Sequence, residues 1–131
     1  MSTSPPAPMN KPNLTGIRRL ISATRYSMQG LAAAWKHEEA FRLEASLALL
    51  LLPCSFWLGQ TLSQQLILIA SLALVAIVEL INSAIEAVVD RIGTDMHPLS
   101  GQAKDIGSAA VFLSTLLVIV LWGLSLWDLL A

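Results

Sequence analysis

Polar positions in this chain fall in clusters separated by long apolar runs. No charged residue occurs between Glu44 and Glu79, a gap of 34 residues, nor between Asp105 and Asp128, a gap of 22. A helix needs about 20 apolar residues to cross a bilayer's hydrocarbon layer, so the first gap holds more than one span and the second holds one. The pattern predicts span one over 39–58, span two over 63–92 and span three over 102–129. Pro53 lies inside span one, where a missing backbone donor predicts a kink. "GQTLS" at 59–63 is long enough only for a hairpin turn, and "GTDMHPLSG" at 93–101 is a loop marked by Gly and Pro. Trp122 and Trp127, toward the far end of span three, read as membrane-interface anchors.

Upstream of the spans the period changes. Ile17, Leu20, Ile21, Thr24, Met28, Leu31 and Trp35 share one helical face, while Arg18, Arg19, Ser22, Arg25, Gln29 and Lys36 occupy the other. This predicts an amphipathic helix over 14–36, capped by Asn13 or Thr15, lying in the cytoplasmic interface of a membrane. Residues 1–13 are polar and rich in Pro, Ser and Asn, without the apolar core of a signal peptide, and read as a disordered tail. The remainder, 14–131, reads as one membrane-embedded domain. The predicted class is all-α, with three transmembrane helices after an interfacial one.

Composition strengthens this picture. The 131 residues are 55% hydrophobic and 13% charged, whereas a soluble domain carries about 25% charged residues. Net charge is −1, so no nucleic-acid partner is expected. All eight Lys and Arg lie before the first uncharged run or around the loop that joins spans two and three, Arg91 and Lys104 standing at the span ends that flank it. The positive-inside rule then predicts a cytoplasmic N-terminus and an external C-terminus. Cys54 stands alone, which excludes an intrachain disulfide, and its apolar neighbours predict a packed thiol.

One stretch breaks the apolar rule. Within "VELINSAIEAVVDRIG", Glu79, Asn82, Ser83, Glu86 and Asp90 share an arc of about 100° on one helix face. Ionisable groups at membrane depth face a cavity or a polar partner rather than lipid. Three carboxylates on one stripe repel one another unless a cation joins them, and Mg²⁺ suits oxygen ligands with water and phosphate. Glu38 and Arg42, four apart, form a candidate helix ion pair at the start of span one. Lys104 and Asp105 stand at the start of span three, one turn before Ser108. Carboxylates from two helices and a Lys from a third fit phosphoryl transfer, with Glu79 as the base. The stripe alone also leaves open helix assembly or proton transport. No Walker A or kinase-type Gly-rich loop occurs.

"ELINSAIEAVVD" resembles the signature of the small bacterial membrane diacylglycerol kinases, Glu-x-x-Asn-(Ser/Thr)-Ala-Ile-Glu-x-x-Val-Asp. The resemblance continues through "RIGTDMHPLSGQAKDIGSAAV" and back through "AAWKHEEAFRLE" to "TRYS", covering about residues 16–112. It implies a homotrimer in the bacterial inner membrane that transfers the ATP γ-phosphate to diacylglycerol, giving phosphatidic acid. It implies Glu79 as general base, and Glu38 and Glu86 as ligands of the Mg²⁺ that accompanies ATP. Asp95, Met96, His97, Lys104 and Asp105, with Arg19, Ala23 and Tyr26, would join Glu38 and Glu86 in holding the nucleotide. Trp35, Glu44 and Ser108 would lie on the lipid side with Glu79, while Asn82 and Asp90 would order the site. The chain departs from the better-known members at Ser22, Met28, Gln29 and Leu43. A polyprenol (undecaprenol) kinase is the alternative within the same resemblance.

Overall fold

The computed structural model describes residues 15–93 and 95–131; the expected tail over 1–13 and the Asn13 cap lie outside them. Four helices follow in order: α1 (Gly16–His37), α2 (Glu39–Leu58), α3 (Leu62–Ile92) and α4 (Pro98–Leu130). Among the described residues there is no strand. The last three helices are each long and apolar enough to cross a membrane. The chain divides into two units, one ending at Ala32 and one starting at Ala33. The first contains the opening turns of α1, entered through Gly16 at φ +64°, a left-handed conformation that glycine adopts without a Cβ clash.

In the second unit α3 is the central helix. It packs along α4 and against α2, while α2 and α4 barely meet. Its buried face carries Leu68, Ser71, Leu72, Glu79, Asn82 and Ser83. The buried residues of α4 are Gly107 and Ser114, so nearly all its apolar surface, such as Phe112, Ile119 and Leu124, points outward. In water that exposure would be destabilising; in lipid it is the expected state.

At one end of the bundle, Gly59 to Thr61 turn α2 into α3. Thr61 caps α3, its hydroxyl accepting from the Gln64 N–H at 3.2 Å, while Gln64 Oε1 accepts from the Gln60 N–H at 2.8 Å. This is a reciprocal capping arrangement that satisfies two otherwise orphaned donors. Gln65 Nε2 donates to the carbonyls of Phe56 and Gly59, tying the end of α2 to the start of α3. A Cβ at Gly59 would meet Gln65 backbone atoms at 2.9 and 3.0 Å, so this turn needs glycine for space.

Several expectations need correction. Span three begins at Pro98 rather than 102, because Pro98 takes the first helical position, where no N–H is required, and His97 Nδ1 accepts from the Leu99 N–H at 3.1 Å. The Glu38–Arg42 pair does not form. Glu38 is an extended residue between α1 and α2, and Arg42 Nη1 instead donates to the Trp35 and Lys36 carbonyls at 2.7 and 3.1 Å. Those carbonyls end α1 without helical partners, and a guanidinium satisfies them well. Trp122 is half-buried within the bundle: its indole N–H donates to Ser71 Oγ at 3.2 Å. Only Trp127 of the two is fully outward. Cys54 is exposed rather than packed, and α2 runs through Pro53 as a single helix.

Candidate active site

The other end of the bundle, where the α3–α4 loop lies, gathers the ionisable residues. The helical period of α3 puts Glu79, Asn82 and Ser83 on its buried face, where they are 4%, 9% and 8% exposed. Across the α2–α3 contact, the half-buried Glu44 carboxylate faces that of Glu79. Two carboxylates are both acceptors, so they can meet only across a proton, a hydroxyl hydrogen or a cation. One Glu44 oxygen, Oε2, is buried without any donor. Glu38 and Glu86 complete the group, both within electrostatic reach of Glu79.

Asn82 Nδ2 donates to Glu86 Oε1 at 3.4 Å, a long hydrogen bond along one helix turn. Its other amide atom, Oδ1, is buried without a donor, as is Ser83 Oγ. On the loop side, Lys104 Nζ reaches Asp90 Oδ1 at 2.7 Å. This ion pair is solvent-accessible, so it contributes little to stability but fixes where the ammonium stands. Lys104 also lies within electrostatic reach of Glu86, which links the two clusters.

Asp90, Asp95, Met96, His97 and Lys104 line one open pocket of about 470 Å³ beside the start of α4. Ser100 and Gly101 join them there. A second, narrower groove of about 120 Å³ runs away from Glu44 between α2, α3 and α4. Its walls are Leu47, Ala48, Leu51, Leu72, Val75 and Val118, with Thr115 as its other polar residue. The Glu44–Glu79 pair therefore stands where an apolar groove meets a polar end.

Of the residues singled out by sequence, Glu38, Glu44, Glu79, Asn82 and Glu86 come together, and Asp90, Asp95, Met96, His97 and Lys104 share the pocket. Asp105, Ser108 and Trp35 are exposed and make no hydrogen bond from their side chains, among the described residues. Arg19, Ala23 and Tyr26 belong to the first unit, where Arg25 stands 5.9 Å over the Tyr26 ring. Gly107 went unnoticed in the sequence. A glycine in a helix costs stability, but nothing in the sequence says which neighbour this one meets.

Among the described residues no three His, Cys, Asp or Glu side chains form a ready metal cage. The donor set nevertheless fits a cation that arrives with a nucleotide. Mg²⁺ takes one or two protein carboxylates and fills its shell with water and phosphate oxygens. Glu38, which makes no pair with Arg42, and Glu86 are the two carboxylates of the group that lie outside the Glu44–Glu79 pair.

Residues 25–126 match the family model described as prokaryotic diacylglycerol kinase. The diacylglycerol kinase of Haemophilus influenzae is 52% identical over 109 residues, covering 83% of this chain and 92% of its own. That of Escherichia coli K12 is 50% identical over 116 residues, covering 88% and 95%. The Pseudomonas aeruginosa diacylglycerol kinase is 45% identical over 108 residues, covering 82% and 88%.

Proposed function

The chain belongs to the prokaryotic diacylglycerol kinase family, and from that premise we propose how its own residues carry the reaction. It is a bacterial membrane lipid kinase acting on diacylglycerol. The observation that supports our reading most is the buried Glu79 carboxylate beside Glu44, at the polar mouth of an apolar groove. A lipid alcohol has the matching shape, with an acyl chain for the groove and a hydroxyl for the carboxylates.

In this reading the acceptor hydroxyl enters between Glu44 and Glu79 and supplies the hydrogen that two facing acceptors lack. Glu79 takes the proton as the hydroxyl oxygen bonds to the γ-phosphorus. The bond to the bridging oxygen breaks and ADP leaves with its electron pair. Glu44 orients the glycerol end of the lipid, and Trp35 and Ser108 join it on the lipid side by resemblance.

Lys104, held by Asp90, presents its ammonium to the phosphates, and Asp95, Met96, His97 and Asp105 contribute to the nucleotide pocket. Arg19, Ala23 and Tyr26 are assigned to the nucleotide on the resemblance alone. Glu38 and Glu86 would hold Mg²⁺, which when bound neutralises phosphate oxygens. Asn82 and Asp90 keep Glu86 and Lys104 in place.

We further propose that 14–131 acts as one domain in the inner membrane, with a cytoplasmic N-terminus and a periplasmic C-terminus, as a homotrimer. The charge asymmetry supports the orientation, and the outward apolar surface of α4 is compatible with contacts to other copies or to lipid.

The test is phosphorylation in mixed micelles containing MgATP and either diacylglycerol or undecaprenol, with Glu79→Gln alongside. Phosphatidic acid formed by the unaltered chain and lost in the variant is expected. Phosphate appearing mainly on undecaprenol would overturn the acceptor. Turnover preserved in Glu79→Gln would overturn the base.

A further inference from the structure

Gly107 of α4 lies directly against Asn82 on the polar face of α3. Both residues are buried, and a Cβ built on Gly107 would collide with Asn82 Oδ1. The same oxygen has no hydrogen-bond donor, while Nδ2 on the opposite side of the amide donates to Glu86 Oε1 at 3.4 Å. An amide oxygen and nitrogen are easily interchanged in assignment, so chemistry has to choose between them. The reversed amide would aim two acceptors at each other at Glu86 and leave its N–H groups against a glycine carbon. The orientation with Nδ2 on Glu86 is the one that makes sense.

Burying an amide oxygen without a donor is costly. The cost is justified if the amide's orientation is needed, because the α4 backbone packed on Oδ1 leaves the amide no room to swing away from Glu86. We propose that Gly107 is a positioning residue of the kinase site. By lacking a Cβ, it lets the α4 backbone clamp the Asn82 amide, which in turn holds one Glu86 oxygen and leaves the other free for the cation. The inference rests on assigning Glu86 to the cation.

A glycine that merely allows two helices to pack would give a different result on substitution. Its replacement would lower stability and activity whatever stood at position 82. Under the clamp, the loss from Gly107→Ala passes through Asn82, so shortening that side chain removes the collision. The decisive set is Gly107→Ala, Asn82→Ala, the double variant and Glu86→Gln. Each is measured for turnover and, by electron paramagnetic resonance, for Mn²⁺ binding in the presence of a non-hydrolysable ATP analogue.

Gly107→Ala and Asn82→Ala should each weaken Mn²⁺ binding by roughly tenfold, the usual range for residues that orient a metal ligand. The double variant should be no worse than Asn82→Ala alone. Losses that multiply in the double variant would overturn the clamp. So would Gly107→Ala binding Mn²⁺ as the unaltered chain does while Glu86→Gln does not. Normal Mn²⁺ binding by Glu86→Gln would instead remove the assignment of Glu86, and the clamp would then be judged on turnover, by the same comparison of single and double variants. Where Gly107→Ala fails to fold, recovery of folded protein in the double variant supports the collision with Asn82, and no recovery overturns it.

Discussion

The two ends of the bundle treat their buried polar atoms differently. From the α2–α3 turn to mid-membrane, these groups are satisfied: Ser55, Ser71 and Ser114 hydroxyls bond to carbonyls three residues back, Trp122 donates to Ser71, and Gln65 bridges two carbonyls. At the opposite end Glu44 Oε2, Asn82 Oδ1 and Ser83 Oγ are buried without partners, among the described residues. Unsatisfied buried polar atoms are rare in folded proteins because each is costly. Three at one end, two on the α3 face that carries Glu79 and one across from it on α2, set the two ends apart. The turn end satisfies its polar atoms within the chain; in the proposed function, the site end leaves its own for the substrates.

The largest test of that contrast is Glu79→Gln. The change keeps the shape and removes the basic oxygen, so we expect turnover to fall by roughly 10³-fold, within the range for losing a general base. The unfolding midpoint in detergent should stay within a few degrees of the unaltered chain. A variant that unfolded instead would mean the carboxylate is part of the scaffold. The mirror-image experiment is Gly59→Ala at the turn. The Gln65 backbone stands at 2.9 Å from the new Cβ, and backbone cannot yield as a flexible side chain does. Overpacking of this kind costs about 1–3 kcal/mol, read as a lower unfolding midpoint with turnover per folded enzyme unchanged.

How much of this was legible in the sequence follows the same divide. Spans over 39–58 and 63–92 differ from α2 and α3 by at most one residue, because apolar length and Gly punctuation are local signals. The polar stripe of α3 was legible from helical period alone, and Glu79, Asn82 and Ser83 are indeed its buried members. What escaped were relations between helices. Arg42 has an acid four residues away in sequence, yet the open carbonyls of α1 claim its guanidinium. Trp122 has the composition of an interface anchor, but Ser71, 51 residues away, supplies its acceptor. Pro98 was read as loop punctuation, although proline also starts helices. A helical wheel gives the face of a residue and never its neighbour, which is why Gly107 was invisible until α3 lay against it.

A smaller test concerns a tertiary hydrogen bond between side chains of α3 and α4 at the satisfied end. Ser71→Ala removes the acceptor for the Trp122 indole. Hydrogen bonds between membrane helices average about 0.6 kcal/mol, since the separated helices also find partners. We expect a drop of that order in unfolding free energy and no change in turnover.

The last test is Ser83→Ala, at the unsatisfied end. The hydroxyl it deletes has no partner in the free chain, so its removal should leave stability unchanged or raise it by up to about 1 kcal/mol. If the site end is built for the complex, the same change should raise the KM for nucleotide or lipid by a few-fold while stability holds. Serine and alanine differ by one oxygen, so packing does not confound the reading. Stability lost with KM unchanged would place Ser83 with the turn-end serines and move the boundary between the two ends toward the α3–α4 loop.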